Sequence, residues 1–353
     1  MQRKKALRKE LAKAGVKGFL ITDPVNLRYI TGFTGSSGFL IITLNKAMFV
    51  TDFRYQEQSK DEVKGFRIRI EREERSREIK KIVDEFAIKW LGFEARNISF
   101  EFYDNLLKRG IKLKPLTGIV NTLRAVKSAD EISNITKAVR RAERAFTGLQ
   151  PHIKEGKTEQ FLSLKLGELL RNEGCKKLPF EVIVASGSRS ALPHAMPTNK
   201  TIKKGDFIVF DWGGEYCGYY SDMTRTVLVN GKNINKKKQL YHNVLEAQKR
   251  AIRAVRTGVK ASVVDKAARN YIDNLGYGED FGHGTGHGIG MAGHEEPFIS
   301  WRSKDLIKDG MVFTVEPGIY LTGFGGVRIE DMVVAGRNGA EMLTGLPRQL
   351  KII

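Results

Sequence analysis

Two acid-tipped strand pairs constrain this 353-residue chain more than any other feature. Residues 205–214, Gly-Asp-Phe-Ile-Val-Phe-Asp-Trp-Gly-Gly, read as a buried strand run closing on Asp211. Residues 220–229 follow, with Asp222 just ahead of an alternating run rich in Thr and Val, as strands prefer. The Gly- and Tyr-rich link between them predicts a hairpin. The pattern then recurs: residues 310–318 place Glu316 where the first strand has Asp211, and residues 326–334 place Glu330 where the second has Asp222. The offsets are 105 residues (211 to 316) and 108 (222 to 330), and acid falls on acid both times. An acid near the end of an apolar strand is costly without a partner. The repeat therefore predicts two similar halves facing each other across one shared site.

Between the two pairs lies the densest polar signal in the chain. Residues 281–297 read Phe-Gly-His-Gly-Thr-Gly-His-Gly-Ile-Gly-Met-Ala-Gly-His-Glu-Glu-Pro, with three of the six histidines at 283, 287 and 294. Histidine is the commonest metal ligand and general acid–base group near neutral pH, and glycine lets backbone approach an ion or substrate closely. If the halves face each other, Asp211, Asp222, Glu316 and Glu330 gather around His287. Four carboxylates a few ångströms apart cannot all stay ionised without cations. Two divalent ions bridged by carboxylates resolve the conflict. Oxygen donors plus one imidazole suit manganese, cobalt, iron or zinc, and not copper or a thiolate zinc site. Such a centre is machinery for hydrolysis.

These segments resemble the Xaa-Pro peptidases, aminopeptidase P and prolidase, which are related to methionine aminopeptidase and creatinase. His-Gly-Thr-Gly-His-Gly-Ile-Gly at 283–290, Ser-Asp-Met-Thr-Arg-Thr at 221–226, Val-Glu-Pro-Gly-Ile-Tyr at 315–320 and Arg-Ile-Glu-Asp at 328–331 carry the resemblance, together with their order and spacing. It implies a creatinase-like α/β N-terminal domain followed by an α+β catalytic domain of pita-bread type with an internal pseudo-two-fold repeat. It also implies a dinuclear centre, manganese foremost, with Asp211, Asp222, His287, Glu316 and Glu330 as ligands. His194, in Leu-Pro-His-Ala at 192–195, matches a substrate-contacting histidine. His283 and His294 match the two that hold substrate and the tetrahedral intermediate, and Arg328 matches an arginine beside the last ligand. In the same relatives Glu316 is both ligand and acid–base group.

Composition narrows the remaining choices. A hydrophobic content of 41 %, with nineteen Phe, ten Tyr and three Trp, argues for a folded chain rather than a disordered one. The formal net charge of +20 invites a nucleic-acid reading, but positions 1–120 carry 25 basic and 15 acidic residues, half of the excess. Charge so evenly spread reads as a solvated surface, and no nucleic-acid partner is expected. Cys175 and Cys217 are the only cysteines, which predicts a reduced, cytoplasmic protein with both thiols buried. The first residues lack the apolar core of a signal peptide, and no apolar run reaches membrane-spanning length.

Taken in order, residues 2–14 place Leu7, Leu11 and Ala14 on one helical face, 16–21 form a strand, and Pro24 opens a short helix. The Gly-Ser loop at 30–38 superficially suggests phosphate binding. It lacks the required lysine, and a strand at 39–43 follows instead of a helix. Ile79, Ile82, Val83, Phe86 and Trp90 predict one amphipathic helix, and 91–94 a strand. This alternation indicates a small α/β domain over 1–123, with the catalytic domain at 124–353. Ser128 and Glu131 form a capping box that opens the latter. Helices follow at about 158–171, 236–256 and 262–275, so two precede each acidic strand pair, with Gly174, Gly258 and Gly276 at helix ends. His242 lies within a helix and His152 outside the site; neither is a candidate ligand.

The expected activity is cleavage of the bond before proline in small peptides with proline at the second position. Aminopeptidase P is preferred to strict dipeptidase. A site crowded with carboxylates favours a free N-terminal ammonium. No second arginine in a recognisable motif is available for a terminal carboxylate, and residues 282–293 suggest room beyond the proline. The alternatives are a prolidase, a methionine aminopeptidase, a metal-free amidinohydrolase like creatinase, and an inactive binding module of the same fold. Residues 52–55, Asp-Phe-Arg-Tyr, resemble a segment that lies near the partner's active site in relatives, which predicts a homodimer.

Overall fold

A computed structural model describes residues 2–353. The chain divides after Arg124 into two compact units, the second being Ala125–Ile353.

The first unit is built on a six-stranded sheet ordered Arg67–Ile70, Ala47–Thr51, Phe39–Thr43, Gly18–Ile21, Leu91–Glu94, Leu113–Leu116. Phe39–Thr43 pairs antiparallel with both of its neighbours, and the other three pairings are parallel. Leu20, Phe39, Ile41, Met48 and Val50 pack on Ile79, Ile82 and Val83 of the helix Arg75–Glu85. The short helix Pro24–Thr31 begins as its sequence suggests: Asp23 Oδ1 accepts from Asn26 N at 2.8 Å and proline occupies the first turn. The Gly-Ser loop leads into the strand Phe39–Thr43, as expected. The amphipathic helix is shorter than its pattern. It stops at Glu85, Ala87 takes a left-handed φ of 52°, and Trp90 is left 50 % exposed on the way into the next strand. Ile88 provides the apolar contact that the helical period assigned to Trp90.

The second unit contains the internal repeat. The helices Ala129–Leu149 and Glu159–Asn172 precede a sheet ordered Lys351–Ile352, Met223–Leu228, Phe207–Trp212, Ile183–Ser186. The helices Asn235–Ala254 and Ala261–Asn274 precede a sheet ordered Glu295–Ile299, Gly286–Gly288, Val312–Val315, Asp331–Gly336, Gly339–Met342. The Ser128–Glu131 capping box is formed, with both reciprocal hydrogen bonds present. In each half the two acidic strands pair antiparallel, Trp212 opposite Met223 and Val315 opposite Asp331. Relative to the repeat offsets, the second register is displaced by two residues, an even step that leaves every side chain on its original face. The halves meet where residues 224–226 run beside 328–330: Glu330 N donates to Thr224 O at 3.1 Å and Arg328 N to Thr226 Oγ1 at 3.2 Å. This is the creatinase-like domain and pita-bread unit that the motifs imply.

One expectation fails at the tip of the small hairpin Glu215–Tyr216/Tyr219–Tyr220. Cys175 is buried, but Cys217 is exposed, because the turn places it at a left-handed φ of 51° with its side chain outward. Among the described residues, no helix is long and apolar enough to cross a membrane.

Candidate metal centre

The strand ends deliver the acids to one place. Asp222 directly precedes the strand Met223–Leu228, and Glu330 directly precedes Asp331–Gly336. Their ligand atoms and one from His287 all lie within 4.8 Å of one another. His287 comes from the short strand Gly286–Gly288, which fits between its neighbours only because glycine flanks it. A β-carbon at Gly286 would run into the Thr314 carbonyl, and one at Gly288 into that of Glu296. His287 Nε2 lies 3.6 Å from Asp222 Oδ2 and 3.4 Å from Glu316 Oε1. Its Nδ1 faces the Gly288 carbonyl at 3.1 Å, the arrangement that keeps hydrogen on Nδ1 and turns the Nε2 lone pair to the carboxylates. Thr314 Oγ1 accepts from His287 N and donates to Glu316 Oε1, so one hydroxyl sets both groups. Asp211 accepts from Arg328 at 2.5 Å, and Glu330 accepts from Thr224 Oγ1 at 2.7 Å.

The electrostatics are those of a site built for cations. Asp222 and Glu330 are both held far above the usual carboxylate range, first by burial and then by the other acids around them. Burial pushes the His287 imidazole down, which suits a neutral ligand. Two carboxylate oxygens, Asp211 Oδ1 and Asp222 Oδ1, are buried without a hydrogen-bond partner. Orphaned buried acceptors are rare and cost about 1–3 kcal/mol each. Divalent cations would satisfy both, so the residues fit the ions that the sequence implies.

The other candidates surround this cluster. The His294 ring stacks on His287 with centroids 3.8 Å apart. His283 Nε2 is 2.9 Å from Tyr320 Oη, and its Nδ1 is 2.7 Å from the Gly284 carbonyl. Arg328 donates to Tyr320 Oη at 2.9 Å, so the phenol hydrogen is available to His283 Nε2. Burial holds His283 below its usual value. The consistent state is a neutral ring with hydrogen on Nδ1 and Nε2 accepting from Tyr320. His194 stays exposed beyond the turn Gly187–Ala191.

Comparison with known proteins agrees with this geometry. Residues 133–337 match Metallopeptidase family M24, and residues 3–126 match the Creatinase/Prolidase N-terminal domain. The chain belongs to metallopeptidase family M24. This M24 member is 38 % identical over 342 residues to the Xaa-Pro dipeptidase of Pyrococcus horikoshii, covering 96 % of this chain and 95 % of that one. Its structure is similar to the Xaa-Pro dipeptidase from Bacillus anthracis (TM-score 0.97, 39 % identity, 100 % and 99 % of the two chains covered). It is also similar to the X-Pro aminopeptidase from Thermotoga maritima (TM-score 0.90, 37 % identity, 99 % of each chain).

Several residues of this M24 peptidase site escaped the sequence reading. Tyr320 links His283 to Arg328; it closes the 315–320 motif, four residues after Glu316, where nothing in the sequence distinguishes it from a packing tyrosine. Burial pushes its hydroxyl up to about 12, so it remains a neutral donor. Arg225 donates to the carbonyl of Glu330 at 2.6 Å and to Asp331 at 2.7 Å. Gln248, from the helix Asn235–Ala254, donates to Asp331 at 2.9 Å. These groups fix the backbone beneath the acids.

Proposed function

We propose that this chain is a dinuclear metal-dependent exopeptidase that hydrolyses the Xaa-Pro bond at the N-terminus of peptides, an Xaa-Pro aminopeptidase. The observation that carries the reading is the buried group of carboxylates facing His287 Nε2, with two of their oxygens lacking any donor. Asp211, Asp222, His287, Glu316 and Glu330 would hold the ions. When bound, divalent ions supply a nucleophilic water at neutral pH and polarise the scissile carbonyl. Glu316, which accepts from Thr314, would take a proton and hand it to the leaving proline nitrogen. His283, neutral and accepting from Tyr320, offers no Nε2 hydrogen to an oxyanion; this favours a role on the proline side of the substrate. His294 and His194 orient the peptide, and Arg328 holds Asp211 in place. Catalysis of this kind tolerates the imide before proline, which has no N–H to offer.

Chelation abolishes activity and manganese or cobalt restores it in this reading, with zinc and iron as weaker candidates. Equilibrium dialysis should find two ions per chain, and one ion at full activity contradicts the dinuclear assignment. The related proteins carry both dipeptidase and aminopeptidase names, so strict Xaa-Pro dipeptidase activity is the second reading. Cleavage rates for Xaa-Pro and for Xaa-Pro-Yaa, each with a free amino terminus, decide between them. We expect the tripeptide to be cut at least as fast, and an N-acetylated peptide to be refused because the anionic site attracts the ammonium. Turnover confined to the dipeptide installs the second reading.

We further expect a cytoplasmic homodimer. Phe53, in the Asp-Phe-Arg-Tyr segment that carries the resemblance, is 78 % exposed and so open to a partner. Light scattering should give twice the mass of one chain; a fully active monomer at micromolar concentration argues against assembly.

A further inference from the structure

Beneath the glycine-rich loop, the helix Ala261–Asn274 carries Asp265 and Arg269, one turn apart and paired in a bidentate ion pair at 2.8 and 2.9 Å. Asp265 is fully buried, and its Oδ1 also accepts from Thr285 N at 3.2 Å and from Thr285 Oγ1 at 2.9 Å. Arg269 turns two more of its hydrogens on the loop: Nη1 donates to the Phe281 carbonyl at 2.8 Å and Nη2 to the His283 carbonyl at 2.7 Å. Its guanidinium lies 4.3 Å from the ring centroids of both Phe281 and Trp301. The pair thus grips every second residue, 281, 283 and 285, along the segment that presents the His283 ring. The Phe281 ring meets that imidazole edge-on at 5.0 Å.

We infer that Asp265 and Arg269 are positioning residues of the reaction: they fix the backbone path through residues 281–285 and thereby the orientation and tautomer of His283. The inference rests on the proposed role of His283 toward substrate. A plain stabilising pair would need neither carbonyl contact. The planar fork matters here, because lysine has the charge but cannot span the Phe281 and His283 carbonyls while remaining paired with Asp265. Both ring nitrogens of His283 depend on this path. Nδ1 must meet the Gly284 carbonyl and Nε2 the Tyr320 hydroxyl, and a shift near one ångström breaks both.

The test uses the full-length, manganese-loaded enzyme. Arg269→Met should lower kcat/KM for Xaa-Pro-Yaa cleavage by about 30- to 100-fold, mostly in kcat. Arg269→Lys should recover little of it. In a His283→Ala background the same Arg269 change should cost no more than about threefold, because its route of action is already gone. Thr285→Val, a smaller perturbation, should show the same non-additivity if Arg269→Met folds poorly. Independently of turnover, nitrogen-15 spectra of histidine-labelled protein loaded with diamagnetic zinc in place of paramagnetic manganese should show His283, assigned through His283→Ala, as the Nδ1–H tautomer in wild type and as a mixture in Arg269→Lys. A full multiplicative loss in the His283→Ala background, or an unchanged His283 spectrum, overturns the inference. Failure of the wild type to cleave any Xaa-Pro peptide overturns the functional reading instead and leaves the spectroscopic arm to decide this one.

Discussion

Replacing Glu330 with glutamine should lower kcat/KM by about a thousandfold or more, while making the metal-free protein more stable at alkaline pH. Glutamine keeps the shape and can still accept from Thr224 Oγ1, the bond Glu330 makes at 2.7 Å. It removes one anionic ligand from a buried cluster. Lewis-acid stabilisation of several kcal/mol, at about 1.4 kcal/mol per decade, corresponds to roughly three decades of rate. The stability effect has the opposite sign. Burial, then Glu316 and Asp211, raises the Glu330 carboxyl well above its ordinary value, and Asp222 is raised by burial and by Glu330 itself. The folded, metal-free chain therefore binds more protons than the unfolded chain. Its stability is fully present below the ordinary carboxylate range, near pH 4, and is lost as pH climbs towards the raised values. The slope reaches about 1.4 kcal/mol per pH unit for each proton involved. Glu330→Gln removes one such proton and flattens the slope, and Asp222→Asn should do the same. Melting temperatures in chelator between pH 5 and pH 9, beside turnover in saturating manganese, check both halves. Near-normal turnover in either variant would falsify the ligand assignment, and an unchanged pH slope would refute the account of the repulsion.

The parts of this site visible in the sequence are those whose signal is local. Asp211, Asp222, Glu316 and Glu330 stand out because an acid interrupts an apolar strand run, and the interruption recurs at nearly constant offset. His283, His287 and His294 stand out because glycine surrounds them. The capping box at Ser128 and Glu131 spans four residues and forms as expected. What stays hidden depends on distant partners. Tyr320 looks like an ordinary strand tyrosine until it meets His283, 37 residues earlier in the chain. Asp265 and Arg269 look like a common helix-surface ion pair until residues 281–285 fold over them. The helical period that included Trp90 carries no information about the reversal at Ala87, where the backbone leaves the helix at positive φ. Cys217 illustrates the limit of residue averages: cysteine is usually buried, but a hairpin tip faces solvent whatever residue occupies it.

A buried lysine, Lys127, is hidden in the same way, and Lys127→Met should destabilise the catalytic unit by about 3–5 kcal/mol. In sequence it is one more basic residue in a strongly basic chain. In the fold its side chain is 1 % exposed, and its ammonium lies 2.6 Å from Glu295 Oε1, whose side chain is 3 % exposed. The two residues are 168 positions apart. Lys127 also donates to the Ala125 carbonyl at 3.2 Å, and its backbone N–H bonds to Gly310 O at 2.9 Å. The pair fits only because residue 290 is glycine; a β-carbon there would collide with the Glu295 carboxylate. Methionine fills much the same volume but leaves a buried carboxylate without its cation. The cost arises from the stranded charge rather than from the lost attraction, since desolvation already offsets most of what a buried pair gains. The paired substitution tests this account. Replacing Glu295 with leucine as well removes the stranded charge, so Lys127→Met/Glu295→Leu should recover most of the lost stability. Urea titration of both proteins, following the transition of the catalytic unit, measures the difference. A double variant as unstable as the single one would mean that the hydrogen bonds around Lys127, not the loss of its cation beside Glu295, set the cost. Glu295 adjoins His294, whose ring stacks on His287, so the single variant should also weaken metal binding. If stability falls while metal affinity is unchanged, the ion pair supports the fold without reaching the metal centre.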